Sequence, residues 1–171
     1  MSLADTGEPD EANESPVSLA ELGGGEVYLL FFNDIAHPIV EPESLAALSI
    51  GCDILGCQVA EHAMACTAFL YSGGALAWEV THIAEYGADH LAIDGSPPEQ
   101  LALIQDELRK MWEEDGADPT EDYLFEVPLS LAAAHVGYRH DQAALLDGET
   151  LSFTELVPGD SRDASMQARA Q

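Results

Sequence analysis

The sequence predicts an α+β fold: a mainly antiparallel sheet carrying one long helix and two short ones. Three observations point to it. Within Cys57 to His82, CQVAEHAMACTAFLYSGGALAWEVTH, two apolar, β-forming runs flank Ser72-Gly73-Gly74, and glycines in so short a loop permit the positive φ angles that reverse a strand. Ser96-Pro97-Pro98-Glu99 has the form of a capping box opening a helix, with Ser as cap, proline in the first turn and Glu three residues after the cap. The other apolar segments are short and show no internal repeat, so they need the hairpin as a platform, since a lone hairpin is marginal in water.

Taken in order, residues 1 to 25 carry six acidic groups, several Gly, Pro and Ser, and few large apolar side chains, a composition that predicts a disordered acidic arm. Gly23-Gly24-Gly25 reads as a hinge into Val27 to Phe32 (VYLLFF), whose continuous apolar character predicts a central strand covered on both faces. Asn33 to Val40 reads as a loop, with Pro38 biasing His37 toward extended geometry. Pro42 suits the first turn of a short helix through Ser49 that Gly51 ends. The first hairpin arm, Gln58 to Tyr71, reads as a strand, although its four alanines leave a helix open as an alternative. The second arm, Ala75 to Ile83, places Leu76, Trp78, Val80 and His82 on one face and Glu79 and Thr81 on the other.

His90 to Asp94 is predicted as a third strand of that sheet. The long helix runs from Pro97 to about Glu114, with Leu101, Ile104, Leu108, Met111 and Trp112 as one apolar stripe and Gln105, Asp106, Arg109 and Lys110 facing water, so the stripe is expected to lie across the sheet. Asp115 to Asp122 is an acidic, turn-rich loop. Tyr123 to Val127 is read as a strand, Pro128 to Val136 as a short helix closed by Gly137, and Leu151 to Val157 as one edge strand. With 171 residues, 47% of them hydrophobic, the chain can bury one sizeable core. We therefore expect a single domain over residues 26 to 157, followed by a flexible tail over 158 to 171.

Charge is the strongest compositional signal. There are 32 acidic residues and five basic ones, Arg109, Lys110, Arg139, Arg162 and Arg169, for a net charge of -27. Such a chain repels phosphate backbones and anionic lipid, so neither nucleic acid nor a membrane surface is an expected partner. Three readings fit the acidity: a solvating surface, adaptation to a salty cytoplasm in which ions screen self-repulsion, and a face shaped for a basic protein partner. The N-terminus lacks the basic and apolar segments of a secretory signal, and no run reaches the roughly 18 apolar residues of a membrane span. Cys52, Cys57 and Cys66, odd in number and set in or beside apolar stretches, suit reduced thiols in a cytoplasm.

The candidate chemistry is sparse. His62 and Cys66, with His82 and His90, are the set most like metal ligands, but residues four apart in a strand are separated by roughly 13 Å, so no metal site is expected there. A reactive cysteine would want an electropositive neighbourhood, and the stretch around Cys57 and Cys66 has no base other than histidine. The glycine run lacks the lysine and following helix of a phosphate cradle. No cofactor is implied. Arg139 and His140, after the helix stop at Gly137, could form a small polar site, or Arg139 could pair with a nearby carboxylate at a helix terminus.

Trp78-Glu79-Val80-Thr81-His82, then Asp89-His90-Leu91, then Asp122-Tyr123-Leu124-Phe125-Glu126-Val127-Pro128 and Gly137-Tyr138-Arg139-His140-Asp141 follow one another in an order that resembles a group of uncharacterised bacterial proteins, over about residues 57 to 141. In that group an Asp often follows the strand's Thr-His, where Ile83 stands here. The resemblance implies a shared fold and brings no activity, cofactor or catalytic residue with it. The expectation is a non-catalytic, cytoplasmic binding protein, immunity- or adaptor-like, whose acidic surface engages a basic partner through carboxylates such as Glu113, Glu114 and Asp115. The alternative is a small enzyme or ligand-binding domain with a pocket near His82, His90, Arg139 and His140.

Overall fold

A computed structural model describes residues 3–5, 17–22, 26–32, 34, 36–116, 122–139 and 151–156. These form strands β1 (Leu3–Asp5), β2 (Val17–Leu22), β3 (Val27–Phe32), β4 (Ile54–Ala60), β5 (Ala65–Ser72), β6 (Ala75–Ile83), β7 (Ala92–Gly95) and β8 (Thr154–Leu156). Three α-helices accompany them: α1 (Pro42–Leu48), α2 (Gln100–Glu114) and α3 (Glu126–Val136). The class is α+β, with two antiparallel sheets. The chain divides into two compact units, residues 1–34 with 142–171 and residues 35–141, where a single domain over 26–157 was expected.

The first unit is a sheet of order β1-β8-β2-β3. Its β2 lies within the stretch expected to be a disordered arm. The composition of residues 1 to 25 as a block hides the short alternation of Val17–Leu22, in which Ser18, Ala20 and Leu22 are buried. That strand gains its stability by pairing along its whole length with β3, from Val17 opposite Phe32 to Leu22 opposite Val27. Val27–Phe32 is consequently an edge strand and not a central one, and it leaves Tyr28 and Leu30 exposed. β8 is not an edge strand either, because β1 and β2 flank it. The glycine run at 23–25 and the tail from 157 onward lie outside the described residues.

The second unit is a sheet of order β4-β5-β6-β7. The expected first hairpin arm is in fact two strands. A 3₁₀ turn, Glu61–Ala63, and a left-handed Met64 (φ 45°) reverse the chain between β4 and β5. Sequence reasoning missed this turn because an apolar methionine occupies the position where glycine or asparagine would have marked it. The helical alternative for Gln58 to Tyr71 is excluded by seven register pairs from Ile54 opposite Tyr71 to Ala60 opposite Ala65. β6 spans the predicted residues, and Trp78, Val80 and His82 are buried on one face as the alternation implied, whereas Leu76, expected with them, is exposed beyond a register shift at Leu70/Tyr71. The third strand begins at Ala92, not His90.

The helix that covers this sheet is α3, not the long one. In α3, Val127, Pro128, Leu129, Leu131, Ala132 and Ala133 are all buried, and a helix apolar on most sides is stable only between two layers. It packs against β5, β4 and β6, while α2 packs on α3. The core joins Ala68, Trp78 and Val80 of the sheet to Leu124, Val127, Leu131 and Ala132, with Leu101, Ile104 and Leu108 of α2 behind them. Met111, expected in the apolar stripe, is exposed. The capping box does not form. α2 starts at Gln100 with Glu99 as its cap residue and no side-chain capping bond. Tyr123 to Val127 is not a strand: Tyr123–Phe125 is a 3₁₀ turn leading into α3, with Pro128 in the first helical turn, where its missing N–H has no partner to lose.

Candidate functional site

The second unit carries a cleft of about 210 Å³ where the end of α2 faces the turn entering α3, lined by Leu108, Met111, Trp112, Asp115, Asp122, Tyr123 and Glu126. Helical spacing places Leu108, Met111, Trp112 and Asp115 on one side of the last turns of α2. The opposite wall exists because the chain returns after α2 and tightens into the 3₁₀ turn, closed by the Phe125 N–H donating to the Asp122 carbonyl at 3.2 Å. The Trp112 and Tyr123 rings stack across the cleft with centroids 5.3 Å apart at 27°. The Arg109 guanidinium pairs with Asp106 at 3.6 Å and is held above its ordinary range, chiefly by Tyr123.

Three carboxylates line this aromatic cleft. Glu126 pairs with Arg139 at 3.1 Å. Asp115 is exposed and forms no ion pair among the described residues. Asp122 is held from behind by His82, whose ring is fully buried. His82 Nδ1 lies 2.6 Å from the His90 carbonyl, and because a carbonyl only accepts, Nδ1 carries the hydrogen. Its Nε2 lies 2.7 Å from Asp122 Oδ2. Among the described residues neither Nε2 nor the buried Asp122 Oδ1 has a hydrogen-bond partner. The contact is therefore mainly electrostatic, and Asp122 keeps one buried oxygen with unused acceptor capacity.

His90 is the local clamp for this arrangement. Its Nδ1 accepts from the Ile83 N–H at 3.0 Å, and Tyr86 packs edge-on against its ring at 5.2 Å, which fixes the β6–β7 loop and so the carbonyl that orients His82. Of the carboxylates singled out in the sequence, Asp115 lines the cleft, while Glu113 and Glu114 are exposed on α2 and do not. Of the alternative set, His82 and His90 come together, with ring centroids 6.1 Å apart, and Arg139 joins through Glu126. His140 lies outside the described residues. Sequence reasoning missed Trp112, Asp122, Tyr123 and Glu126 as one site, because reading Tyr123 to Val127 as a strand removed them from the end of the long helix.

A second cluster lies on the helix-covered face of the sheet. Cys57 on edge strand β4 and Cys66 on β5 share that face, since Cys57 is opposite Ala68 and Cys66 opposite Val59. The neighbouring Cys66 thiol chiefly, with the charge of Arg139, holds the exposed Cys57 below the ordinary thiol value against opposing desolvation. The buried Cys66 is pushed up by its interaction with Cys57, by burial and by the charges of Cys57 and Glu126.

No protein-family model, curated protein or solved structure matches the chain. Among the described residues no group of three or more His, Cys, Asp or Glu is placed to hold a metal ion, and no helix is long and apolar enough to cross a membrane. His62 lies in the 3₁₀ turn and Cys66 in the strand after it.

Proposed function

We propose that the chain is a non-catalytic binding protein of adaptor or immunity type that engages a basic protein partner by taking a lysine or arginine side chain into the cleft between α2 and the turn entering α3. One observation carries this reading: the Asp122 carboxylate, 11% exposed, lines the same cleft as the stacked Trp112 and Tyr123. A cation in the cleft would be attracted by that carboxylate and by the faces of the aromatic rings. At about 210 Å³ the cleft is smaller than the roughly 300–1,000 Å³ of small-molecule sites, which favours one side chain over a cofactor. The histidine-centred alternative has less support, since His82 is fully buried and both its nitrogens face protein groups. A cytoplasmic setting fits Cys52, Cys57 and Cys66 as free thiols.

A cation–π contact contributes about 0.5–2 kcal/mol and a hydrogen bond to a charged group about 1.5–3 kcal/mol. Together they correspond to binding of a single side chain near the millimolar range, where about 4 kcal/mol equals a Kd of about 1 mM. The rest of the acidic surface would then act mainly on the encounter rate. Calorimetric titration of a short peptide containing one lysine among neutral residues, beside the same peptide with methionine in its place, tests this. The lysine peptide alone should bind, more weakly as salt rises and at least tenfold more weakly to the Trp112→Ala and Asp122→Asn variants. Equal binding of both peptides, no binding at millimolar concentration, or indifference to both substitutions would overturn the proposal.

A further inference from the structure

We propose that Cys57 and Cys66 form a redox-active dithiol that closes to an intramolecular disulfide by exchange with a low-molecular-weight disulfide. The placement is that of an attacking and a resolving sulfur. Cys57 is exposed on edge strand β4, whereas Cys66 is 1% exposed on the neighbouring strand. The two are diagonal neighbours on one face of an antiparallel pair, close enough for each thiol to act on the other's charge. Among the described residues β4 is paired on one side only, so closing the remaining gap to a bond of about 2.05 Å requires a shift of a strand anchored on that side.

The surrounding groups favour Cys57 as the nucleophile. On β5 the Cys66 thiol lies diagonally beside it, and from beyond α3 the Arg139 guanidinium adds positive charge; both favour a Cys57 thiolate against burial. Glu126 on α3 opposes this, but it is paired with Arg139. His82 is the cross-strand neighbour of Cys66 on β6, with its nitrogens directed at the His90 carbonyl and Asp122, so it does not serve as the base. In the first step the Cys57 thiolate attacks one sulfur of the external disulfide, a new S–S bond forms to Cys57, and the other half leaves as a thiolate. Capping Cys57 removes its interaction with Cys66, the largest cause that holds the Cys66 proton in place, and its charge, while burial continues to oppose ionisation. As β4 shifts, Cys66 attacks the Cys57 sulfur and gives up its proton to the second external thiolate as that thiolate is expelled. In sum, two protein thiols and one disulfide give one protein disulfide and two small thiols.

The test uses the full chain with Cys52→Ser, because Cys52 is also exposed and would react independently. With glutathione disulfide as the oxidant, this protein should lose two thiols while retaining no glutathionyl mass, and a peptide map should join Cys57 to Cys66. Adding Cys66→Ser should trap a stable glutathionyl group on Cys57. Adding Cys57→Ser should leave Cys66 unreactive in the folded chain. A stable adduct on Cys57 with the Cys66 thiol intact, or no thiol loss in the folded protein while the denatured chain reacts, would overturn the proposal. A measurement independent of disulfide closure is the pH profile of Cys57 alkylation. Its midpoint should lie below the ordinary thiol value of about 8.5 and rise in both Cys66→Ala and Arg139→Gln. A midpoint at or above that value in the parent protein, unmoved by either change, would mean that the thiols only pack.

Discussion

Replacing Gly56 by alanine puts two effects of opposite sign in competition. Gly56 lies on edge strand β4 opposite Phe69 and does not have a positive φ, so on backbone grounds alone alanine should stabilise by about 0.4–1 kcal/mol, through the lower entropy of the unfolded chain. A Cβ built there, however, would sit 2.1, 2.3 and 2.8 Å from three atoms of the Phe69 ring. The ring lies across the glycine and is only 6% exposed, with Tyr71 packed edge-on against it at 5.8 Å. To regain a contact of about 3.5 Å the ring must move by roughly 1.4 Å in a confined space, and overpacking of this kind costs about 1–3 kcal/mol. The clash should win, and Gly56→Ala should destabilise by about 0.5–2.5 kcal/mol. Urea denaturation followed by tryptophan emission suits the case, because Trp78 and Trp112, the two tryptophans of the chain, both belong to the 35–141 unit. In a Phe69→Leu background the penalty should largely disappear, and alanine should become neutral or stabilising. A Gly56→Ala protein as stable as the parent, or an undiminished penalty without the ring, would refute the reasoning.

Three further glycine and histidine changes separate local strain from packing. Gly95→Ala should be severe, at roughly 3 kcal/mol or more, because φ is +71° and the Cβ would meet the Ala77 carbonyl oxygen at 2.2 Å and the Trp78 Cα at 2.9 Å, backbone atoms that cannot swing aside. Gly137→Ala, at φ +77° in open space, should cost only the left-handed strain of about 1–2 kcal/mol, and thermal melts of the two variants compare them directly. His82→Leu should destabilise by about 3–5 kcal/mol by leaving Asp122 without its buried partner. Adding Asp122→Leu should recover part of that loss in the same urea assay.

The parts of the fold that were legible in the sequence are those where one local rule operates without competition. β6 alternates from Ala77 to Ile83, and its Gly73-Gly74 turn has both residues at positive φ, so turn chemistry and period agree. The β4–β5 turn was hidden because Met64 adopts a left-handed conformation that its side chain disfavours, and only tertiary pairing on both sides explains it. Tyr123 to Val127 has strand-like residues, but the demand for a layer over the sheet makes the whole of 123–136 helical, with Pro128 harmless in the first turn. The capping box at Ser96 lost to the sharp end of β7, where Gly95 turns at positive φ and the Ser96 N–H donates to the Ala77 carbonyl at 3.2 Å. The site was half legible: Asp115 and His82 stood out by type and position, whereas the stacking of Trp112 on Tyr123 depends on how the acidic loop returns the chain. The thiol pair was invisible because its basic neighbour, Arg139, is 82 residues from Cys57 in the sequence.

The most direct measurement of the central proposal locates the bound cation. In an NMR titration of the intact protein with the lysine-containing peptide, the lysine methylene protons should shift upfield under the ring currents of Trp112 and Tyr123. They should give nuclear Overhauser contacts to both rings, and the Trp112 indole resonance should move in proportion to occupancy while that of buried Trp78 stays still. Perturbations confined to other acidic surfaces, with the Trp112 and Tyr123 rings unaffected at saturation, would contradict the account.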